Sequence, residues 1–206
     1  MVTLALVVAN VAVFVFELSQ GSEIDAFVRR WGLVPLDVHD GAAAAAITLL
    51  TSTFLHAGWF HLGANMVYLW VFGLPVERRL GGPRFAAIYL VSGLVGSLAY
   101  LLAQPLSETP AIGASGAIAG VIAANLVLFP GATLGSLAPV LFLHVVESTP
   151  TLLLLLVWLA TQVLSSVASL TTSTGIAWWA HLGGFASGLV LAVVFGRRVP
   201  KGRVAR

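Results

Sequence analysis

The sequence predicts an all-α polytopic membrane protein, a six-transmembrane-helix bundle with an interfacial first loop. Three observations predict it. Of 206 residues, 59% are apolar and only 9% charged, where a soluble domain carries roughly a quarter charged residues. The mean hydropathy is +1.00. Apolar runs near the ~20 residues that a spanning helix needs recur until the chain is used up, which leaves one domain over residues 1–206. The composition excludes a soluble globular domain, a disordered chain and a collagen-like chain, and zero cysteines exclude a disulfide scaffold. Lys+Arg 10 against Asp+Glu 8 is too small and too scattered an excess for a nucleic-acid surface. The expected surroundings are a lipid bilayer, and no nucleic-acid partner is expected.

The elements follow in order. Residues 2–18 begin almost at Met1, with no basic n-region and no small-residue cleavage site, and read as a retained span. Residues 19–55 mix Glu23, Asp25, Arg29, Arg30, Asp37 and Asp40 with Phe27 and Trp31, a composition suited to a loop lying on the membrane interface. A second span, 58–76, ends at Glu77-Arg78-Arg79. Pro83 opens the third, 84–104, and Gln104-Pro105 stops it. Ser107-Glu108-Thr109-Pro110 leads to a short fourth span, 115–129, closed by Pro130-Gly131. After a connection of intermediate polarity over 132–149, with His144 and Glu147, come the fifth span at 150–168, a Ser/Thr run at 169–174 and the sixth span at 177–196. The tail is basic.

Charge sets the orientation. Arg78, Arg79, Arg84, Arg197, Arg198, Lys201, Arg203 and Arg206 share one side, while the other has Arg29 and Arg30 diluted by acids. The positive-inside rule then puts both termini in the cytoplasm. Spans two, four and six consequently start at the outer face. The absence of a transit-like N-terminus favours a bacterial cytoplasmic membrane. No internal repeat of the kind many transporters carry is visible.

Polar groups within spans cost free energy and mark function by default. Ser115 lies in Gly113-Ala114-Ser115-Gly116, where a polar loop turns into span four. The glycines permit a sharp turn and close approach. Unpaired N–H groups at the helix start can hold an oxyanion; the plainer reading is an N-cap with packing glycines. His181 stands three residues before Gly184, on the face that Gly184 and Gly188 form for close helix packing. Span four offers a matching stripe, Gly113, Gly116 and Gly120, and packing the two faces places a base beside a nucleophile. The plainer reading is a core histidine bonded to a carbonyl. His61 and Asn65, spaced i, i+4, share one face and offer two donors to one point, or serve as polar glue between helices. His61, Ser115 and His181 each open an outside-to-inside span, so they fall at one depth. That is the minimum set for acyl transfer. Of the acids at the spans, Glu77 and Glu147 lie on the wrong side, and nothing aims Glu17 at His181, so a dyad is expected and not a triad. A zinc site from His56, His61 and His181 is the other reading of the histidines. Neither a His-Glu-x-x-His motif nor a neighbouring acid supports it, so no metal and no cofactor are expected.

From about Thr51 to Gly188 the chain resembles the rhomboids, a family of intramembrane serine proteases, in their basic six-span form. The resemblance rests on His56-Ala57-Gly58-Trp59-Phe60-His61-Leu62-Gly63-Ala64-Asn65, on Glu77-Arg78-Arg79-Leu80-Gly81, on Gly113-Ala114-Ser115-Gly116, and on Ala180-His181 with Gly184 and Gly188. It implies Ser115 as nucleophile and His181 as general base, with His61, Asn65 and the Ser115 N–H forming an oxyanion hole. It also implies single-pass membrane proteins as substrates, cut near the outer end of their span, and a short fourth span starting in a water-filled cavity. Two positions depart from the pattern. Many rhomboids carry Trp-Arg where Ile47 and Thr48 stand, and some place an aromatic residue where Ala119 stands.

The expected function is therefore intramembrane serine endopeptidase, with segments 19–55 and 169–176 as rim and cap of the site. The alternative is a catalytically inactive rhomboid-like chaperone or quality-control adaptor, although such relatives lack the serine or the histidine. A small transporter would need polar groups at all depths, and here they cluster at one level.

Overall fold

The computed structural model describes residues 1–39, 46–133, 150–170 and 177–197. His144, Glu147, most of the expected cap segment and the tail beyond Arg197 lie outside the described residues. In chain order the helices are α1 (Val2–Leu18), α2 (Ile24–Trp31), α3 (Pro35–His39), α4 (Thr48–Thr51), α5 (Trp59–Leu80), α6 (Gly82–Ala103), α7 (Ser115–Leu128), α8 (Thr151–Ala168) and α9 (Trp178–Gly196). By length and composition α6, α8 and α9 are long and apolar enough to cross a membrane. A fourth crossing arises if α1 and the segment Gly21–Trp31, bent by 108° from it, are taken as one span. The apolar α7 is shorter, with 14 residues. Leu90, Val91, Leu94 and Leu98 on α6, Leu153, Leu156, Val157 and Leu164 on α8, and Val190, Val193 and Val194 on α9 are exposed. Apolar surface on that scale belongs against lipid. The chain is an integral multi-pass membrane protein with an all-α bundle.

Two boundaries differ from the sequence reading. Segment 19–55 is largely helical where it is described. Asp25 in the first turn of α2 and Arg29 and Arg30 in its last complement the helix dipole at both ends. The segment is anchored without Trp-Arg at Ile47 and Thr48. Leu33 N–H donates to Ala111 O at 3.1 Å and Ala111 N–H returns a bond to Leu33 O at 2.8 Å. Leu36 N–H reaches Ser107 O at 3.1 Å, and Thr51 Oγ1 donates to Trp31 O at 2.7 Å. Most of these groups are backbone, so these bonds form without a Trp-Arg pair at 47 and 48.

The second helix runs on to Leu80, one turn past the expected end. Val76 and Leu80 are buried, and the helix stops where Gly81 takes φ +84°, a conformation that favours glycine. Glu77, read as the polar end of a span, caps α1 instead. Its carboxylate accepts from Val2 N–H at 2.6 Å, Thr3 N–H at 2.8 Å and Thr3 Oγ1 at 2.6 Å. An anion at a helix N-terminus satisfies unpaired N–H groups and the dipole together.

The α7 helix lies at the centre, with every residue from Gly116 to Asn125 buried, among α5, α6 and α9. Its contact with α9 is made backbone to backbone. A Cβ on Gly184 would fall onto Gly116 O, and one on Gly188 onto the Gly120 backbone. Lipid supplies no hydrophobic drive between helices, so close van der Waals approach has to hold them. Gly188→Val should therefore cost more than about 3 kcal/mol and abolish a monodisperse, cooperatively melting species in detergent. Gly63→Ala should melt like wild type, because a Cβ there meets nothing within 4 Å.

Candidate active site

Ser115 is the first residue of α7. Ahead of it Gly113 takes φ +123°, and its N–H donates to Ser52 O at 2.9 Å. A Cβ on Gly113 would lie 2.7 Å from Cε1 and 2.8 Å from Nε2 of His61. Glycine is thus required twice here, for the turn and for the approach of an imidazole. Gly116 and Gly184 bring α9 against α7, and that contact sets the separation of the side chains one turn outward. His181 Nε2 and Ser115 Oγ stand 2.7 Å apart.

The other imidazole nitrogen, Nδ1, is 2.6 Å from Gln162 Oε1 on α8. The amide orientation follows from its other bonds. Gln162 Nε2 donates to Trp158 O at 3.3 Å, which can only accept, and to Thr161 Oγ1 at 3.1 Å. The oxygen therefore faces His181, and Nδ1 must carry the proton that it accepts. That fixes the tautomer. Nε2 presents its lone pair to Ser115 Oγ, whose hydroxyl donates to it. Trp178 meets the His181 ring edge-on, with centroids 5.8 Å apart, and Trp158 lies 6.3 Å away. These two rings flank the imidazole although Ala119 offers no aromatic surface.

His61 and Asn65 open onto the same space. The N–H of Ala57 donates to His61 Nδ1 at 3.3 Å, so in the neutral ring Nε2 carries the proton. Asn65 Nδ2 donates to His61 O at 3.0 Å, which leaves a second amide hydrogen. His61, Asn65, Ser115, Gln162 and His181 line one cavity of about 460 Å³, with Tyr68, Trp158 and Trp178 among its apolar walls. The structure brings all four sequence-derived polar residues to this cavity.

His56 does not line it. It lies in the connection ahead of α5, with its ring centroid 5.2 Å from that of His61. Burial, and next the His61 ring, push its pKa down to about 4, so it is neutral at pH 7 and adds no charge beside the site. Glu17 accepts from His56 N–H at 3.1 Å. Its carboxylate thus ties α1 to this connection and is turned to a structural contact. Among the described residues no group of three or more His, Asp or Glu is placed to hold a metal ion.

Gln162, Trp158 and Trp178 are the site residues that sequence reasoning passed over. A carboxylate is the usual third member beside such a histidine, and here an amide fills the place. A signal was present: Gln162 is a polar side chain inside the fifth apolar run, subject to the same argument that singled out His61 and Asn65.

Comparison with known proteins places this geometry in context. A family model described as Rhomboid domain matches residues 43–198. Rhomboid protein 1, mitochondrial, of Saccharomyces cerevisiae is 32% identical over 211 residues, covering 98% of this chain and 55% of the yeast protein. Presenilin-associated rhomboid-like protein, mitochondrial, of Rattus norvegicus is 33% identical over 149 residues, covering 68% of this chain and 36% of that protein. Rhomboid protease GluP of Bacillus subtilis is 46% identical over 78 residues, covering 38% of this chain and 15% of that protein. The chain thus spans about half or less of the length of these relatives.

The imidazole geometry is testable without a substrate. In protein labelled with ¹⁵N-histidine, His181 should show a single neutral tautomer protonated at Nδ1. Gln162→Leu should yield a mixture of tautomers, with the loss of one hydrogen bond worth about 1 kcal/mol. Gln162→Glu, which keeps an acceptor, should retain the wild-type tautomer.

Proposed function

Because the chain belongs to the rhomboid family, we propose that it is an intramembrane serine endopeptidase acting through Ser115 and His181. The observation that carries the reading is the 2.7 Å contact between Ser115 Oγ and His181 Nε2, with the lone pair on Nε2. In the proposed reaction Ser115 Oγ attacks the scissile carbonyl carbon as Nε2 takes its proton. The carbonyl oxygen becomes an oxyanion, for which Ser115 N–H, His61 Nε2–H and the free hydrogen of Asn65 Nδ2 are the assigned donors. On collapse the peptide C–N bond breaks, and the imidazolium gives its proton to the leaving amine. Water then attacks the acyl-enzyme, His181 accepts its proton, and Ser115 leaves with that proton. Gln162 stabilises the imidazolium by accepting from Nδ1–H, as a neutral acceptor where soluble triads use a carboxylate.

The proposed substrates are single-pass membrane proteins entering from the lipid. A helix hides its peptide carbonyls in its own hydrogen bonds, so the segment to be cut has to unwind, and helix-breaking residues near the scissile bond favour cleavage. We place both termini on one side of the membrane, the cytoplasmic side in a bacterium, on the charge distribution. Two of the three relatives described above carry mitochondrial names, and the same charge asymmetry orients the chain in either membrane.

The test is labelling of purified protein by a fluorophosphonate, a probe for activated serines. Wild type should label, and Ser115→Ala and His181→Ala should not, while all three melt alike. Loss of one donor, in His61→Ala or Asn65→Ala, should slow peptide cleavage about 100-fold, near 3 kcal/mol per donor. A folded wild type that resists the probe would favour the alternative, a non-catalytic rhomboid-like adaptor.

A further inference from the structure

At the end of the bundle opposite Ser115 there is a second cavity, of about 320 Å³, lined by Arg79, Arg197, Val127, Leu128, Val193 and Gly196 among others. It lies between the last turns of α5, α7 and α9. Among the described residues two guanidinium groups line it and no carboxylate does. A guanidinium is always charged and offers five donors. Neither Arg79 nor Arg197 makes a side-chain hydrogen bond or ion pair among the described residues, where the one salt bridge is Arg29–Asp37. Arg79 Nη1 is buried and has no partner. Proximity to helix C-termini offsets part of the charge, but a dipole leaves the donors unused, and a buried unpaired donor costs free energy.

We propose that this cavity binds a phosphate group, held between Arg79 and Arg197 and supplied by the headgroup of an acidic phospholipid. Guanidinium and phosphate match in charge and in paired donors and acceptors. The lipid source is favoured by the walls. Val127, Leu128 and Val193 are apolar, Val193 is exposed, and the cavity lies where spanning helices end, at headgroup depth. A bound headgroup would link α5, which carries His61 and Asn65, to α9, which carries His181. The proposal is independent of whether Ser115 reacts.

The test is thermal unfolding of the full chain in nanodiscs of phosphatidylcholine alone and with phosphatidylglycerol added. The glycerol lipid should raise the midpoint by several degrees for wild type and for Arg78→Gln, which removes a neighbouring charge outside the cavity. It should do so far less for Arg197→Gln and for Arg79→Gln, with an apparent affinity about fivefold weaker per arginine lost. Arg79→Lys keeps the charge and guards against a folding defect at that position. If inorganic phosphate at millimolar concentration stabilises the protein in detergent as strongly as the lipid does, the anion site stands and its lipid source is overturned. Equal stabilisation of wild type, Arg197→Gln and Arg79→Gln by phosphatidylglycerol would mean general surface attraction and overturn the proposal.

Discussion

The structure depends on one constraint, the approach of α7 and α9 at backbone distance. In lipid the gain on packing two helices comes from contact itself, and contact grows as side chains shrink. Gly184 and Gly188 therefore face Gly116 and Gly120 with no room for a methyl group on the α9 side. The Ser115–His181 pair inherits its spacing from that seam. A side chain at Gly184 or Gly188 would separate the helices, and the Ser115–His181 pair would leave the range of about 2.7–3.2 Å in which such hydrogen bonds form.

The second constraint is that polar groups in an apolar medium need partners. The bundle meets it with a few long-range contacts, each joining distant parts of the chain. Glu77 closes the start of α1, Glu17 holds the backbone ahead of α5, and Asn10 Nδ2 donates to Tyr89 Oη at 3.2 Å. Gln104 Nε2 donates to Ser169 O at 2.7 Å, tying the end of α6 to the end of α8. This last contact matters for the site, because α8 supplies Gln162 and exposes much of its surface. A helix with so little burial needs such a fastening to keep an amide within 2.6 Å of His181.

Much of this was legible in the sequence. The helices fall where apolar runs occur, because in lipid the period of the pattern matters less than its length. Ser115, His61, Asn65 and His181 stood out since each is a polar residue in an expensive place. What was hidden follows from the limits of local pattern. Residues 24–31 read as a loop because their charges broke the apolar run, yet those charges sit where a short helix wants them. Glu77 read as a boundary, since nothing local says that a carboxylate 74 residues away from Thr3 will cap it. The role of Gln162 exists only once α8 packs beside α9 and brings its amide to His181, 19 residues on.

The shortness of α7 has its own consequence. Its 14 residues span about 21 Å at 1.5 Å per residue, against a hydrocarbon core of about 30 Å. With Leu128 at one edge, Ser115 stands roughly 9 Å short of the other. For the reaction proposed, that helix acts as a depth gauge. One added turn would lift the serine by about 5.4 Å, and the bond offered to it would shift towards the end of the substrate's apolar stretch. Selection among peptide bonds would then rest on how far below the surface each one sits, with the neighbouring side chains as a second filter.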